Sequence, residues 1–330
     1  MEVDVDFLLA EWLGKPAWMW VGFLGIVALL LALDLGVLNR KDHEIGVRES
    51  LLLSSMYIAI ALAFGGFVWW ELGSEKGLEY LTGFAIEKSL AMDNVFVIAM
   101  IFGAFSIPRI YQHRVLFWGI VGVIVLRALM IAGGAALVSR YEWVLYLFAA
   151  FLVFTGIKMF AARHETEQDI ADNRLLAWLR RRLPVTETLH GHAFFVRQPN
   201  KTGRTALHVT PLFLALVMIE LADVVFAVDS VPAIFAITTD PYIVYTSNIF
   251  AILGLRALYF ALAAVIHRFA YLKQALAVLL IFIGGKVIAA PLMGLDKIPP
   301  AVSLSVTAAI LAAGVGYSLW RTRSEDAKPV

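Results

Sequence analysis

The sequence predicts an all-α polytopic membrane protein with about nine transmembrane helices, six of them arranged as two inverted-topology three-helix repeats. Three observations carry this. Of the 330 residues 61% are hydrophobic and 16% charged, with a mean hydropathy of +0.80, whereas soluble domains carry about a quarter charged residues. Nine apolar stretches, at about 17–38, 50–70, 81–105, 115–138, 143–161, 210–236, 244–265, 273–291 and 301–320, approach the roughly 20 residues that a spanning helix needs. Basic residues also alternate between loops, with 18 Lys/Arg on one side of these spans and four (Lys15, Lys76, Arg140 and Lys297) on the other.

The first span follows an acidic segment (Glu2, Asp4, Asp6, Glu11). It lacks the basic n-region of a secretory leader, so a cleaved signal peptide is not expected. The span ends in LALDLGVLNRK, which places Asp34 near its far end. The basic loops begin at 39–49 and include 106–114, 162–209, 266–274 and the tail 321–330. The positive-inside rule puts them in the cytoplasm of a bacterial inner membrane, with the amino terminus outside and the carboxyl terminus inside. No cysteine is present, which removes disulfides, iron–sulfur clusters and thiolate zinc sites together. The seven histidines (His43, His113, His164, His190, His192, His208, His267) fall in loops or at span ends. No imidazole is therefore expected at mid-membrane depth, and nothing points to a nucleic-acid partner.

Five basic residues lie inside spans, and they expose the repeat. VLRALM around Arg127 in the fourth span echoes GLRALY around Arg256 in the seventh. VFTGIKMF around Lys158 in the fifth echoes IFIGGKVI around Lys286 in the eighth. The fifth base, Lys88, lies in the third span beside Glu87. Without a gap, Glu87 aligns with Asp223, Asp93 with Asp229 and Asn94 with Ser230. Repeat one covers about 81–161 and repeat two about 210–291 of a single membrane domain, 1–330. Three helices are an odd number, so the copies enter the membrane from opposite sides, as in many secondary transporters with substrate sites at the repeat interface.

Loop 162–209 is the only large soluble segment. In DIADNRLLAWLRRRLP an apolar face of Ile170, Leu175, Trp178 and Leu179 opposes Arg174, Arg180, Arg181 and Arg182. A basic helix with Trp at 170–183 is expected on an anionic leaflet, as an anchor. HAFFVRQPNKTGRTALHV reads as a hairpin turning at Pro199–Gly203.

Six acids fall inside spans: Asp34, Glu87, Asp93, Glu220, Asp223 and Asp229. Carboxylates at bilayer depth are costly and usually line an ion path. Against five buried bases they leave a formal charge of about −1, which calls for a bound cation or protonated acids. Salt bridges to Lys88, Arg127 and Arg256 account for some of them. Buried pairs stabilise weakly, however, so ion binding is the better reading of the whole set. Carboxylates with the Asn94 amide and the Ser230 hydroxyl are hard oxygen donors suited to Mn²⁺, Ca²⁺ or Mg²⁺. On a regular helix Glu87 and Asn94 share a face, as do Asp223 and Ser230, and Glu220 neighbours Asp223. Asp93 and Asp229 point about 120° away. Either the helices serve two faces or they unwind near the acids. Pro232 favours unwinding in the sixth span, while the third has no proline there.

These motifs resemble the TerC family of bacterial integral membrane proteins, which includes the Alx manganese exporters. The matching segments are LALDLGVLNRK with the following His43 and Glu44, EKSLAMDNVFV (87–97), FFVR with TPLF (194–213), and ELADVVFAVDSVPAIFAIT (220–238). The resemblance implies a nine-helix fold akin to the LysE-type exporters and an association with manganese efflux and, by older naming, tellurite resistance. By motif match it makes Glu87, Asp93, Asn94, Glu220, Asp223, Asp229 and Ser230 ion-site residues, with Asp34 in addition. The expectation is a non-enzymatic exporter of a divalent cation, Mn²⁺ foremost, with protons as counter-ion and Arg127, Arg256, Lys158 and Lys286 neutralising the emptied site. A metallation factor serving exported proteins, docked on a secretion-machinery partner, is the alternative. Direct tellurite transport is disfavoured because an anion site should expose bases and helix amino termini.

Overall fold

Apolar runs bounded by proline, glycine and charge dictate long helices, and the chain forms them. The computed structural model describes residues 9–33, 46–161, 174–199, 205–262, 272–295 and 297–326. In order the helices are α1 (Ala17–Leu33), α2 (Val47–Leu72), α3 (Ser74–Ala104), α4 (Arg109–Arg140), α5 (Trp143–Ala161), α6 (Arg174–Arg182), α7 (Pro211–Phe235), α8 (Pro241–Leu253), α9 (Leu255–Leu262), α10 (Leu272–Leu292) and α11 (Pro300–Asp326). Two short antiparallel ribbons complete the fold. One pairs β1 (Glu11–Trp12) with β2 (Lys15–Pro16); the other pairs β3 (Phe195–Pro199) with β4 (Thr205–Val209).

Among the described residues seven helical stretches are long and apolar enough to cross a membrane, with α8 and α9 together counting as one. The shorter α1 and the acid-bearing α3 fall at the first and third predicted spans. The chain is a multi-pass α-helical membrane protein. Helix starts follow local chemistry. Proline opens α7, α8 and α11, where no backbone donor is needed. Asp240 caps α8 by accepting from the Tyr242 N–H at 3.1 Å. Gly73, at φ +91°, ends α2 and turns the chain directly into α3.

Helix α3 is the axle of the bundle, packing on α2, α7, α8 and α11, while α4 packs on α7 and α8. Helices α5 and α10 run along each other at close range. A Cβ on Gly156 would lie 2.7 Å from the Ala277 carbonyl, and one on Gly284 would lie 2.4 Å from that of Ala149. Small residues are what let helix backbones approach this closely in lipid.

The structure corrects three expectations. Helix α7 does not unwind at Pro232; it continues to Phe235. The proline forfeits one bond, that of its own missing N–H to the Val228 carbonyl, but the last turn is held by burial of Val231, Ile234 and Phe235, and the Pro232 carbonyl accepts the Ala236 N–H at 3.0 Å. Helix α3 is also unbroken. The interruption falls instead in the seventh span, at Gly254 between α8 and α9. In the basic loop, α6 forms as expected, but it docks through Leu176, with Leu179 and Leu183, onto a cluster containing Leu212 and Leu214. Trp178 stays 53% exposed, and Ile170 lies outside the described residues. The hairpin register sets Phe195 opposite Val209 and Pro199 opposite Thr205; the expected turn beyond Pro199 lies outside the described residues.

Candidate cation site

The spacing that put Glu87 and Asn94 on one face of α3, and Asp223 and Ser230 on one face of α7, brings all four together. What joins them is Arg127 of α4, the largest fully buried side chain among the described residues. Its Nε and Nη2 donate to the two oxygens of Asp223, each at 3.1 Å, as a bidentate fork. Its Nη1 donates to Glu87 Oε1 at 2.5 Å and to Ser230 Oγ at 2.6 Å. Asn94 Nδ2 donates to Asp223 Oδ1 at 3.4 Å. Four of the five guanidinium N–H groups are thus engaged, and all five side chains are buried. Two carboxylates against one guanidinium leave a formal charge of −1 at the centre of the bundle.

The Arg127 fork itself takes Glu87, Asp223 and Ser230. Among the described residues no group of three or more His, Cys, Asp or Glu side chains is placed to hold a metal ion. Glu220 is one turn from Asp223, its carboxyl pressed on α4. Its Oε1 lies 2.1 Å from where a Cβ on Gly122 would be, and its Oε2 is buried without a hydrogen-bond partner among the described residues. Asp229 is bonded to Thr155 and lies in the field of Lys158, both on α5. Asp93 is half-buried on the adjacent face of α3. The six-residue offset therefore resolves as two faces, not as unwinding. Asp34 lies outside the described residues.

The bases separate likewise. Arg127 finds acids, as expected. Lys88 does not: its Nζ donates to the Ala251 carbonyl at 3.1 Å, beside Gly254 at the α8–α9 break. The physical reason is position, since Lys88 is 100° around α3 from Glu87 and faces α8. Arg256 is buried on α9. Lys286 donates to Ser303 Oγ at 3.0 Å.

Sequence reading left Glu79 in a loop, and it is the most buried acid among the described residues at 1% exposure. It accepts from Lys76 at 2.7 Å, Thr238 at 2.7 Å and Lys297 at 3.2 Å. This ties the start of α3 to the α7–α8 and α10–α11 links, and Lys297 also pairs with Glu75. The missed signal was Ser74 and Glu75 directly after Gly73, a helix start that carries α3 seven residues beyond its apolar run. This cluster rims a cavity of about 1000 Å³ at the end opposite the basic loops. The cavity reaches inward to Ala128 and Ile131 of α4, so its floor is the residue next to Arg127.

The integral membrane protein TerC family model matches residues 72–326. An uncharacterized membrane protein of Myxococcus xanthus is 47% identical over 310 residues, 94% of each chain. A putative membrane-bound redox modulator Alx of Escherichia coli K12 is 48% identical over 322 residues, 95% of this chain and 97% of that protein. An uncharacterized membrane protein of Rickettsia bellii is 47% identical over 307 residues, 93% of this chain and 99% of that one. No solved structure matches. With its acid motifs on α3 and α7 inside the matched region, the chain belongs to the TerC family of integral membrane proteins.

Proposed function

We propose that the chain exports a divalent cation, Mn²⁺ foremost, from the cytoplasm across the inner membrane. One observation carries the reading: a guanidinium occupies the space between two carboxylates midway along α3 and α7, on the helix α4 that also lines a cavity at the end opposite the basic loops. With Arg127 in place the pair is short of one positive charge; with Arg127 withdrawn, a dication balances Glu87 and Asp223 and leaves zero. Ser230 and Asn94 then add neutral oxygen donors, the asparagine after an amide flip. The guanidinium is the stand-in that keeps the emptied site from standing as two bare carboxylates during the return step.

The inverted repeat supplies the motion. Contacts of α3 with α8 and of α7 with α4 are the two that a pseudo-two-fold axis relating 81–161 to 210–291 would exchange. Rocking about such an axis would move the site between the basic end and the cavity. The basic end faces the cytoplasm by the positive-inside rule, where the basic sequence of α6 suits an anionic leaflet. Proton antiport is the coupling, because the acids that lose the metal can take up protons. Metal flux in proteoliposomes that ignores an imposed pH gradient removes that coupling.

A second reading rests on the docked α6 and the β3–β4 hairpin at the basic end: a platform for a partner that receives metal for exported proteins. The E. coli relative's name points to redox modulation; without cysteine this chain has no thiol route, so metal supply is the route its residues offer. The test of the primary reading is cellular manganese content and tolerance with wild type, Glu87→Gln and Asp223→Asn. Loss of efflux in both well-expressed variants is expected. Unchanged manganese handling would count against these carboxylates and the reading with them. Deleting residues 184–209 should leave flux intact if the platform serves only a partner.

A further inference from the structure

Asn248 lies in the middle of α8 with no exposed surface, and among the described residues neither its Oδ1 nor its Nδ2 has a hydrogen-bond partner. A fully orphaned buried amide is rare, because losing water at both ends is not repaid by folding. Since both atoms are orphaned, an amide flip does not relieve it.

Its position follows from its neighbours. Helix α8 packs on α3 and on α4. One turn earlier, Val244 packs in a cluster with Ile131 and Ile234. Ser247 lies against Gly83 of α3, its Oγ 3.0 Å from where a Cβ would stand. Less than one turn later, the Ala251 carbonyl accepts the Lys88 ammonium at 3.1 Å. Residues 244, 248 and 251 share a helix face. Asn248 is therefore bracketed at the depth of Glu87 and Arg127, on the face of α8 that looks toward α3 and α4.

Lys88 adds an independent observation at the same place. The last turn of a helix leaves carbonyl oxygens without in-helix partners, and the break after α8 puts one of them, Ala251, inside the bundle. A side-chain cation answers it there, just as Arg127 answers the acids. Gly254 makes the room, since a Cβ would stand 2.8 Å from the Lys88 Nζ.

We propose that Asn248 is a ligand for the transported dication, its Oδ1 joining the Glu87 and Asp223 carboxylates when Arg127 withdraws. This rests on the transport reading above. An amide adds a hard oxygen without adding charge, so the loaded site stays neutral, which favours release as well as binding.

The test uses the full-length protein in nanodiscs with Mn²⁺ alone, comparing wild type, Asn248→Leu and Asn248→Asp. A leucine removes no hydrogen bond from the unloaded protein, so its melting temperature in chelator should equal or exceed that of wild type. Its Mn²⁺ affinity, read from the Mn²⁺-dependent melting shift, should fall about tenfold or more. Asn248→Asp keeps an oxygen in place and should bind at least as tightly, with slower flux. A lower melting temperature for Asn248→Leu in chelator, or an unchanged Mn²⁺ response, overturns the assignment. Wild-type protein that neither binds nor moves Mn²⁺ overturns the transport reading itself, and this inference with it.

Discussion

The two ionic clusters, one buried midway along the bundle around Arg127 and one at the cavity rim around Glu79, use the same residue types to opposite ends. At the centre, one planar guanidinium fixes two buried carboxylates and leaves the site one charge short. At the rim, one carboxylate takes two ammoniums and a hydroxyl, and its partner Lys297 is 55% exposed. Arginine holds a fixed fork, whereas lysine is a mobile point charge that water readily takes over. On the transport reading, the centre is where one cation exchanges for another. At the rim Lys15, Lys76 and Lys297 are matched by Glu75, Glu79 and Asp240, an arrangement suited to tying three segments together.

The contrast sharpens into a graded set of outcomes. Arg127→Met leaves two unpaired carboxylates in the bundle and should cost about 3–5 kcal/mol, read by denaturant unfolding in detergent; a loss no larger than at a surface site would break the comparison. Gly122→Ala drives a methyl into the Glu220 carboxyl and should cost roughly 1–3 kcal/mol by overpacking, with Gly133→Ala, which meets nothing within 4 Å, as the neutral control. Glu79→Gln should cost below about 1 kcal/mol, because both lysines can turn to water; thermal melting at low and high salt checks this, with the effect fading as salt rises. Smallest is the pH response of Lys297. Glu75 beside it, and then Glu79, hold its ammonium above the ordinary lysine range against partial burial. A raised value means that its contribution is complete through neutral pH and is lost only as pH climbs past that value. The melting difference between wild type and Lys297→Met should be flat at neutral pH and shrink in strong alkali.

Much of this architecture is legible in the chain. Hydropathy alone places α2, α4, α5, α7, α10 and α11, because a spanning helix must satisfy its backbone internally and so needs an unbroken apolar run. The seven-residue spacings Glu87–Asn94 and Asp223–Ser230 also read correctly, since a helix returns to nearly the same face after two turns. Other features depend on tertiary context. Pro232 promised a break, and the burial of Val231, Ile234 and Phe235 around it holds the last turn in place. Gly254 looked like any membrane glycine, yet it marks the break because Lys88 crosses there. Glu79 was hidden because the polar first turn of α3 falls below any hydropathy threshold. Asn248 gave no signal in YTSNIF; only burial on every side, without a partner, singles it out.

The central claim is that guanidinium and dication compete for one pair of carboxylates, and Mn²⁺ affinity in Arg127→Met measures this most directly. With the competitor removed, titration of the purified variant with Mn²⁺ should show binding at least about tenfold tighter than wild type, with flux abolished and the lost stability largely restored by the metal. Binding that is weaker than wild type, or no different from it, would contradict the account.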